Sequence, residues 1–504
     1  MTRLRSASAR FCFGLDWVES VVAGHVVCSG AAVALRHPEQ RCENGAPYSR
    51  RRFFREHRVM GRVTHFTFMS RLARASLGVA LFARKDLMNI AGLRSIGLAI
   101  LLLSLATAGC NRPEHASAQS SATPTPSGVR APITALIPDA FYDPPADRPH
   151  QPGVLLRSEF LENVTLPAGI CGWRILYTTT VNDTTPATAV ATVFAPIDPA
   201  TEPRPVIAWE HGTTGLMQKC MPSLVSAPAR MIPSIDRITK AGWVVVASDY
   251  SFAEKGGPHP YLIGEGEARA ALDSVRAARQ MHELTLDRRV VFWGHSQGGH
   301  AALWSGIIGP RYAPELEIAG VAAIAPATDI EKISEETVAI DKRFGAYLAL
   351  AYSRFYPDIK FEQALRPEAL SAARQIVNLC DFLPPEDSER IEQLATTFDG
   401  PALAINSNKA LRARLEQNTP NGPIKAPVVI AQGRSDTVVP PGVTDSYVEE
   451  RCAAGQPLEY WTFATLDHFT IIQAGSPIEE LLMKWTKARF ANEPPASGCV
   501  RKSF

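Results

Sequence analysis

The sequence predicts an α/β fold in which a mostly parallel eight-stranded sheet is flanked by helices and a helical cap is inserted after the sixth strand. Three observations support this prediction. Short β-branched or apolar runs alternate along the chain with segments of helical period. The alternation stops over residues 331–424, where helical patterning continues. One Gly-x-Ser-x-Gly motif lies between an apolar run and a helix-forming segment.

Composition and charge fit a folded globular protein. The 504 residues are 46% hydrophobic and 20% charged, which argues against a disordered or fibrous chain. Residues 1–87 carry 15 basic and 6 acidic side chains, a net charge of +9, whereas the remainder is net −7. A negatively charged body lacks the basic surface that nucleic acids require. With no zinc pattern or phosphate-binding glycine loop, we expect no metal, no cofactor and no nucleic acid.

The segment after Met88 has the three parts of an export signal. A short cationic stretch precedes the uncharged apolar run Ile96–Ala108, whose end matches a small-x-small cleavage site. The run is too short to span a bilayer, which needs about 20 residues. Residues 88–110 also resemble a bacterial lipoprotein signal, with Cys110 as the lipidated residue. We therefore predict an exported protein, either lipid-anchored in the cell envelope or secreted.

Export signals are N-terminal, so we expect translation to start at Met88 and residues 1–87 to be upstream sequence. The alternative is a genuine basic N-terminal arm. Residues 111–135 are rich in Ser, Ala, Pro and Thr, which is typical of a tether. The folded part is then expected to comprise a core and a cap, at residues 136–330 with 425–504 and at 331–424 respectively.

The apolar runs predict eight strands in chain order. Each is rich in Val, Ile, Ala or aromatic residues. Two flanking helices are expected, over residues 266–284 and 477–490, the first because its alanines and aliphatic residues recur at helical spacing. An insertion at the C-terminal end of a strand lies over the ligand crevice of such a sheet, so residues 331–424 should form a cap. The strands are expected at Trp173–Val181, Ala189–Phe194, Val206–Glu210, Trp243–Ser248, Val290–Trp293, Val321–Ala325, Val428–Gln432 and Leu458–Ala464.

The strongest local motif is Gly294-His295-Ser296-Gln297-Gly298. An apolar strand leads into it and a helix-forming segment follows, which is the arrangement of a nucleophile elbow. The tight turn exposes the Ser296 hydroxyl, and the two glycines permit close backbone approach. The Gln297 amide would begin the next helix, where an anion is favoured. We expect Ser296 to be a nucleophile and Gln297 an oxyanion donor; the alternative is a glycine turn with an idle serine.

A serine nucleophile needs a histidine base that is oriented by a carboxylate. In this arrangement the acid and then the base follow the nucleophile along the chain. Asp436 comes just after the seventh expected strand and His468 just after the eighth. We expect Asp436 to be the acid and His468 the base. Asp467 is the alternative acid, but side chains of adjacent residues on an extended loop diverge.

The third expected strand is followed by His211-Gly212-Thr213-Thr214, which resembles the His-Gly oxyanion motif of lipases and esterases. A tetrahedral intermediate places negative charge on the former carbonyl oxygen and requires a second donor. We assign that donor to the Thr213 amide. His211, Gly212 and Thr214 are expected to contact substrate, together with His295, which should shape the pocket. The alternative is a glycine turn that closes a strand.

Several segments together resemble the secretory lipase family, over about residues 135–490. The resemblance implies an α/β-hydrolase fold, hydrolysis of carboxylic esters including acylglycerols, and a cap that forms the acyl pocket. It assigns the triad to Ser296, Asp436 and His468. Fungal members commonly have Tyr before the serine and Gly after it, whereas this chain has His295 and Gln297. The segments are Trp209–Gly215, Ser248–Tyr250, Gly257–Tyr261, Gly294–His300, Ser435–Pro440 and Asp467-His468.

The same resemblance implies two disulfide bonds. It pairs Cys220 with Cys380, joining the oxyanion region to the cap, and Cys452 with Cys499, fixing the C-terminal tail. It assigns no partner to Cys171. An exported protein can keep disulfides, and the alternative is free buried thiols.

These inferences predict an exported ester hydrolase that works through an acyl-serine intermediate on a small-molecule or lipid ester. No cofactor is implied because hydrolysis needs only the protein and water. Membrane contact is expected only through a lipid on Cys110 or through the cap. The alternatives are an acyltransferase or amidase with the same triad, and a non-catalytic binding protein of the cell envelope.

Overall fold

The structure is a computed structural model that describes residues 132–252 and 259–504. The expected export signal with Cys110, the upstream residues 1–87 and most of the tether at 111–135 lie outside the described residues. Within the described part, no helix has the length and apolar character needed to cross a membrane.

A ten-stranded sheet forms the centre of the described chain, in the order β1-β2-β3-β5-β4-β6-β7-β8-β9-β10. The pairs β1–β2, β2–β3 and β3–β5 are antiparallel, and every other neighbouring pair is parallel. The mostly parallel sheet predicted from the sequence is confirmed. The strands are β1 (Leu155–Phe160), β2 (Ile170–Thr180), β3 (Pro186–Pro196), β4 (Arg204–Glu210), β5 (Val244–Phe252), β6 (Leu286–His295), β7 (Glu317–Ile324), β8 (Val428–Gly433), β9 (Leu458–Phe463) and β10 (Cys499–Ser503).

The expected count of eight strands is wrong, because the sheet has one additional strand at each edge. The eight expected strands correspond to β2–β9, so the insertion follows the seventh strand, β7, rather than the sixth. The added strands β1 and β10 have no fully buried residue. An edge strand that faces solvent lacks the apolar run from which buried strands are recognised.

Eleven α-helices are present in the described chain. The helix expected over 266–284 begins two residues earlier and ends at Ala278, and the last helix agrees within one residue of its expected start. The helices are α1 (Ile235–Lys240), α2 (Gly264–Ala278), α3 (Gln297–Tyr312), α4 (Ile330–Glu336), α5 (Val338–Phe355), α6 (Phe361–Ala364), α7 (Leu370–Ile376), α8 (Pro385–Ala395), α9 (Lys409–Gln417), α10 (Pro441–Ala453) and α11 (Ile478–Phe490).

The sheet has an apolar core on each face because successive strand residues point to opposite sides. In β6, Val290 and Phe292 pack in a core that includes residues of α2, α3 and α10. Their neighbours Val291 and Trp293 pack in a second core with residues of α1 and α11. Burial on both faces explains why the central strands are continuous apolar runs.

The helices α4–α9 lie between β7 and β8 and share a third core. That core also includes Tyr261, which precedes α2, and Val439, which follows β8. Both residues belong to loops that continue from the C-terminal ends of strands. The helical insertion therefore packs at the edge of the sheet where the expected site residues lie.

Candidate active site

Ser296 occupies a strained turn between β6 and α3. Its backbone angles are φ 58° and ψ −119°, a combination that non-glycine residues rarely adopt. A Cβ atom on Gly294 would lie 1.9 Å from the Gly298 carbonyl oxygen, and one on Gly298 would lie 1.9 Å from the Glu210 carbonyl oxygen. Glycine is therefore required on both sides of the serine, as a sharp elbow demands.

The Asp436 and His468 side chains meet in a buried hydrogen bond. His468 Nδ1 lies 2.8 Å from Asp436 Oδ2, and both side chains are almost fully buried. The other oxygen, Oδ1, accepts hydrogen bonds of 2.8 Å from the Val438 and Val439 amides. The Gln432 side-chain amide donates to Oδ2 at 3.0 Å. These contacts fix the carboxyl group, which in turn orients the imidazole. Because Nδ1 faces Asp436, Nε2 is the ring nitrogen that could exchange a proton with another group.

Asp467, the alternative acid, turns its carboxyl group back to its own loop. Its Oδ1 accepts from the Phe469 amide at 3.0 Å, and from the Thr470 amide at 2.7 Å and hydroxyl at 2.8 Å. These hydrogen bonds, led by those from Thr470, lower the pKa of Asp467. The structure therefore pairs His468 with Asp436, while Asp467 caps the turn that follows.

The expected oxyanion residues Thr213 and Gln297 line the same cavity as Ser296. A Cβ atom on Gly212 would lie 3.5 Å from Ser296 Cβ, so the loop after β4 lies directly against the elbow. The Thr213 hydroxyl shares a hydrogen bond of 3.0 Å with the Tyr261 hydroxyl. Gln297 is the first residue of α3, where backbone amides have no acceptor within the helix. Ser296 therefore lies between the loop after β4 and the first turn of α3.

Two buried histidines support the site without acting as charged groups. His211 contacts Gly212 O through Nδ1 at 2.6 Å, and burial lowers its pKa to about 4. His295 Nε2 lies 2.7 Å from His468 O, and the two rings are 4.6 Å apart. Burial also lowers the pKa of His295 well below the ordinary value. His295 thus links the elbow to the loop that carries His468.

Sequence reasoning missed Glu267 of α2, whose carboxyl group is fully buried beneath the elbow. It accepts from the Gln297 side-chain amide at 2.7 Å and the Leu262 amide at 2.9 Å, and it meets His300 Nδ1 at 3.0 Å. Burial raises the pKa of Glu267. The signal was present in the sequence: Glu267 lies one turn from Ala271, on the apolar face of a helix, where an acidic residue needs buried partners.

Disulfide bonds join both of the expected cysteine pairs. Cys220 and Cys380 are bonded with their Cα atoms 5.2 Å apart, and Cys452 and Cys499 with theirs 5.8 Å apart. Cys171, to which the resemblance assigned no partner, is also disulfide-bonded.

The first of these bonds links the oxyanion loop to the insertion. Beside it, the Asp381 amide donates to Thr214 O at 2.9 Å, and Gly215 forms a short β-bridge with Cys380. The loop that carries Thr213 is therefore attached to the helical insertion by one covalent bond and by backbone hydrogen bonds.

A largely apolar cavity opens beside Ser296. It is lined by Ser296 and His468, by the predicted contact residues His211, Gly212, Thr213, Thr214, His295 and Gln297, and by residues of the insertion. Phe382 and Phe469 line it while 49% and 62% exposed, so both lie between the cavity and solvent. The aliphatic wall includes Ile330, Ile333, Ile340, Leu348 and Leu403. Such a cavity suits an apolar chain placed next to the serine.

Known proteins resemble this chain in both sequence and fold. The chain is 23% identical over 366 residues to lipase A of Moesziomyces aphidis, covering 67% of this chain and 78% of that protein. It is 23% identical to a protein of Mycobacterium tuberculosis described as a probable inactive lipase, covering 78% of this chain and 89% of that protein. The closed-state structure of Candida antarctica lipase A superposes with a TM-score of 0.59 at 22% identity, covering 73% of this chain and 91% of that one.

The likeness to this solved structure supports the α/β-hydrolase fold. At 22% identity, it supports the fold alone. Residues 227–498, more than half of the chain, match the family described as secretory lipase. The matched range includes Ser296, Asp436 and His468 but begins after the oxyanion loop. On this match, the chain belongs to the secretory lipase family.

Proposed function

We propose that this protein is an exported carboxylic ester hydrolase that acts through an acyl-serine intermediate on acyl esters, including acylglycerols. One observation carries the proposal: Ser296, in its strained turn, and His468, which is held by the buried Asp436, line the same apolar cavity. A buried carboxylate that orients a histidine is the feature that turns a serine hydroxyl into a nucleophile.

In the proposed first step His468 Nε2 removes the Ser296 hydroxyl proton while Oγ bonds to the ester carbonyl carbon. The backbone amides of Thr213 and Gln297 hold the resulting oxyanion. Collapse of this intermediate breaks the carbonyl–alkoxy bond, and His468 gives its proton to the departing alcohol. A water molecule, deprotonated by His468, then attacks the acyl-serine and releases the acid, which restores the free serine.

The apolar cavity supports an acyl group as the part of the substrate that the protein holds. Aliphatic side chains of α4 and α5 supply much of its wall, so we assign residues 331–424 as the cap. An apolar chain that leaves water for this wall is stabilised by burial of its surface. Acylglycerols supply both such a chain and the ester bond.

Export is supported by the disulfide bonds, because such bonds persist in oxidising compartments. The expected signal at residues 88–110 would direct it, with Cys110 as the candidate site for a lipid anchor. Globomycin treatment of the native host separates the two forms: it should cause a lipid-anchored precursor to accumulate and leave a freely secreted one unaffected.

The decisive experiment compares Ser296→Ala with the wild-type protein, using 4-nitrophenyl butyrate hydrolysis and labelling by a fluorophosphonate probe. We expect the variant to lose at least about 10³-fold in kcat and all labelling, because the nucleophile is absent. Ser371→Ala, at an exposed serine of α7, is the matched control and should keep full activity. Comparable hydrolysis by a folded Ser296→Ala protein would refute the mechanism. A wild-type protein that hydrolyses no ester and takes no label would instead be a binding protein.

A further inference from the structure

One part of the cavity wall is polar although its surroundings are aliphatic. Ser334 of α4 and Asp341 and Gly345 of α5 all line the cavity, together with neighbours such as Ile333 and Phe344. Asp341 and Gly345 are four residues apart and so lie on one face of α5. We call Ser334, Asp341 and Gly345 the polar notch.

The Asp341 carboxyl group is 3% exposed and only half of it is satisfied. Oδ2 accepts hydrogen bonds from the Ala402 and Leu403 amides. Oδ1 has no hydrogen-bond partner among the described residues. Burial raises the pKa of Asp341, and the Leu403 and Ala402 amides oppose this rise more than the Ser334 hydroxyl does. The Ser334 hydroxyl lies near the carboxyl group but does not reach Oδ1 with hydrogen-bond geometry. A buried oxygen without a hydrogen-bond donor destabilises the folded protein unless a ligand supplies the donor.

Gly345 lies next to this oxygen. A Cβ atom at position 345 would lie 3.4 Å from Asp341 Oδ1 and 3.1 Å from Leu403 Cγ. Glycine weakens the interior of a helix relative to alanine, so its presence within α5 calls for a local reason. Oδ1 is covered in this structure, and the glycine leaves no side chain next to it on this face of α5.

We propose that the polar notch binds a hydroxyl group carried on the acyl chain, so that esters of hydroxylated acids are the preferred substrates. This inference rests on the proposed ester hydrolysis and names its substrate class. A hydroxyl group can donate a hydrogen bond to Oδ1 and accept one from Ser334. An unsubstituted chain would cover Oδ1 without pairing it, and a site built for a hydrogen bond discriminates against a substrate that lacks the group.

The test uses 4-nitrophenyl esters of matched unsubstituted, hydroxy and keto acids, with the substituent moved along the chain. For the wild-type protein we expect one position at which the hydroxy ester has a kcat/KM about tenfold above that of the unsubstituted ester, as one hydrogen bond to a charged group predicts. A keto group only accepts hydrogen bonds, so it should not share this advantage.

Asp341→Asn reverses the polarity of the notch. Its amide oxygen can still accept from the Ala402 and Leu403 amides, while its NH₂ group replaces Oδ1 as a donor toward the cavity. At the favoured position we expect the keto-to-hydroxy ratio of kcat/KM to rise about tenfold. Ser334→Ala removes the second partner and should lower the hydroxy preference severalfold, which provides a test even where Asp341→Asn fails to fold. Asp358→Asn, on an exposed carboxyl group outside the cavity, is the control and should leave all ratios unchanged.

The inference is refuted if no hydroxy ester exceeds its unsubstituted counterpart at any position. It is equally refuted if folded Asp341→Asn keeps the wild-type keto-to-hydroxy ratio throughout. Efficient hydrolysis of unsubstituted esters in either case would leave the proposed function standing. A wild-type protein inactive on every ester would overturn both.

Discussion

Replacement of Asp249 by Asn should remove a large part of the pH dependence of stability. Asp249 lies in β5, and its carboxyl group is fully buried against Ser223, whose amide donates to Oδ1 at 3.1 Å and whose hydroxyl contacts Oδ2. The Ser223 hydroxyl is also 2.6 Å from the Tyr142 hydroxyl. No cation is among these partners, and burial raises the pKa of Asp249 from 3.8 to about 7.

The direction in which pH changes the free energy of unfolding depends on which state, folded or unfolded, holds the Asp249 proton. Below pH 3.8 both the folded and the unfolded state carry the proton, so Asp249 does not make the free energy of unfolding depend on pH. Between that value and about 7 only the unfolded state has lost it, so the free energy of unfolding falls by about 1.4 kcal/mol per pH unit. The loss reaches about 4 kcal/mol near neutral pH and then stops growing.

The asparagine side chain of Asp249→Asn imitates the protonated carboxyl group, since its amide NH₂ can donate to Ser223 Oγ and its oxygen can accept from the Ser223 amide. Denaturant unfolding followed by tryptophan fluorescence at pH 4 and pH 8 measures the effect. The stability of Asp249→Asn relative to wild type should rise by about 4 kcal/mol between these two values. The exposed Asp147→Asn is the control for loss of one carboxyl group. A difference between Asp249→Asn and wild type that stays constant with pH would contradict this reasoning.

Three further predictions concern the site. Asp436→Asn should lower kcat by about 10³- to 10⁴-fold with little change in KM, because His468 loses the acceptor at Nδ1. Steady-state kinetics measure this effect. A loss in kcat below tenfold would count against Asp436 as the acid. Gly298→Ala should prevent folding to an active protein, because its Cβ would meet a carbonyl oxygen at 1.9 Å; soluble protein with wild-type Tm would disprove the required close approach. Cys220→Ser combined with Cys380→Ser should cost about 2–5 kcal/mol in unfolding free energy, and an unchanged denaturation midpoint would show that the bond adds nothing.

The central sheet and the order of the candidate residues could be predicted because both depend on local patterns. Buried parallel strands are continuous apolar runs, and their C-terminal ends meet at one edge. Ser296, Asp436 and His468 each follow such a strand, so topology alone places them on the same edge. Their catalytic roles stay predictions until the variants are measured.

The features that escaped prediction depend on contacts between distant parts of the chain. The edge strand β10 is recognisable only from its pairing with β9, since its residues are mostly exposed. Glu267 is defined by partners on other elements, among them Gln297 and His300. Asp341 meets amides about sixty residues further along. No local period carries such information, because it arises only when the chain has folded.

The covalent link between Cys220 and Cys380 limits how the entrance to the cavity can widen. The middle of the insertion is bonded to the loop that carries Thr213, so a bulky substrate cannot be admitted by lifting the whole insertion away. When the cavity entrance opens, the insertion has to move about Cys380, and the parts of the entrance farthest from Cys380 move the most. The disulfide bond also holds the Thr213 amide close to the turn that carries Ser296 while the cavity entrance moves.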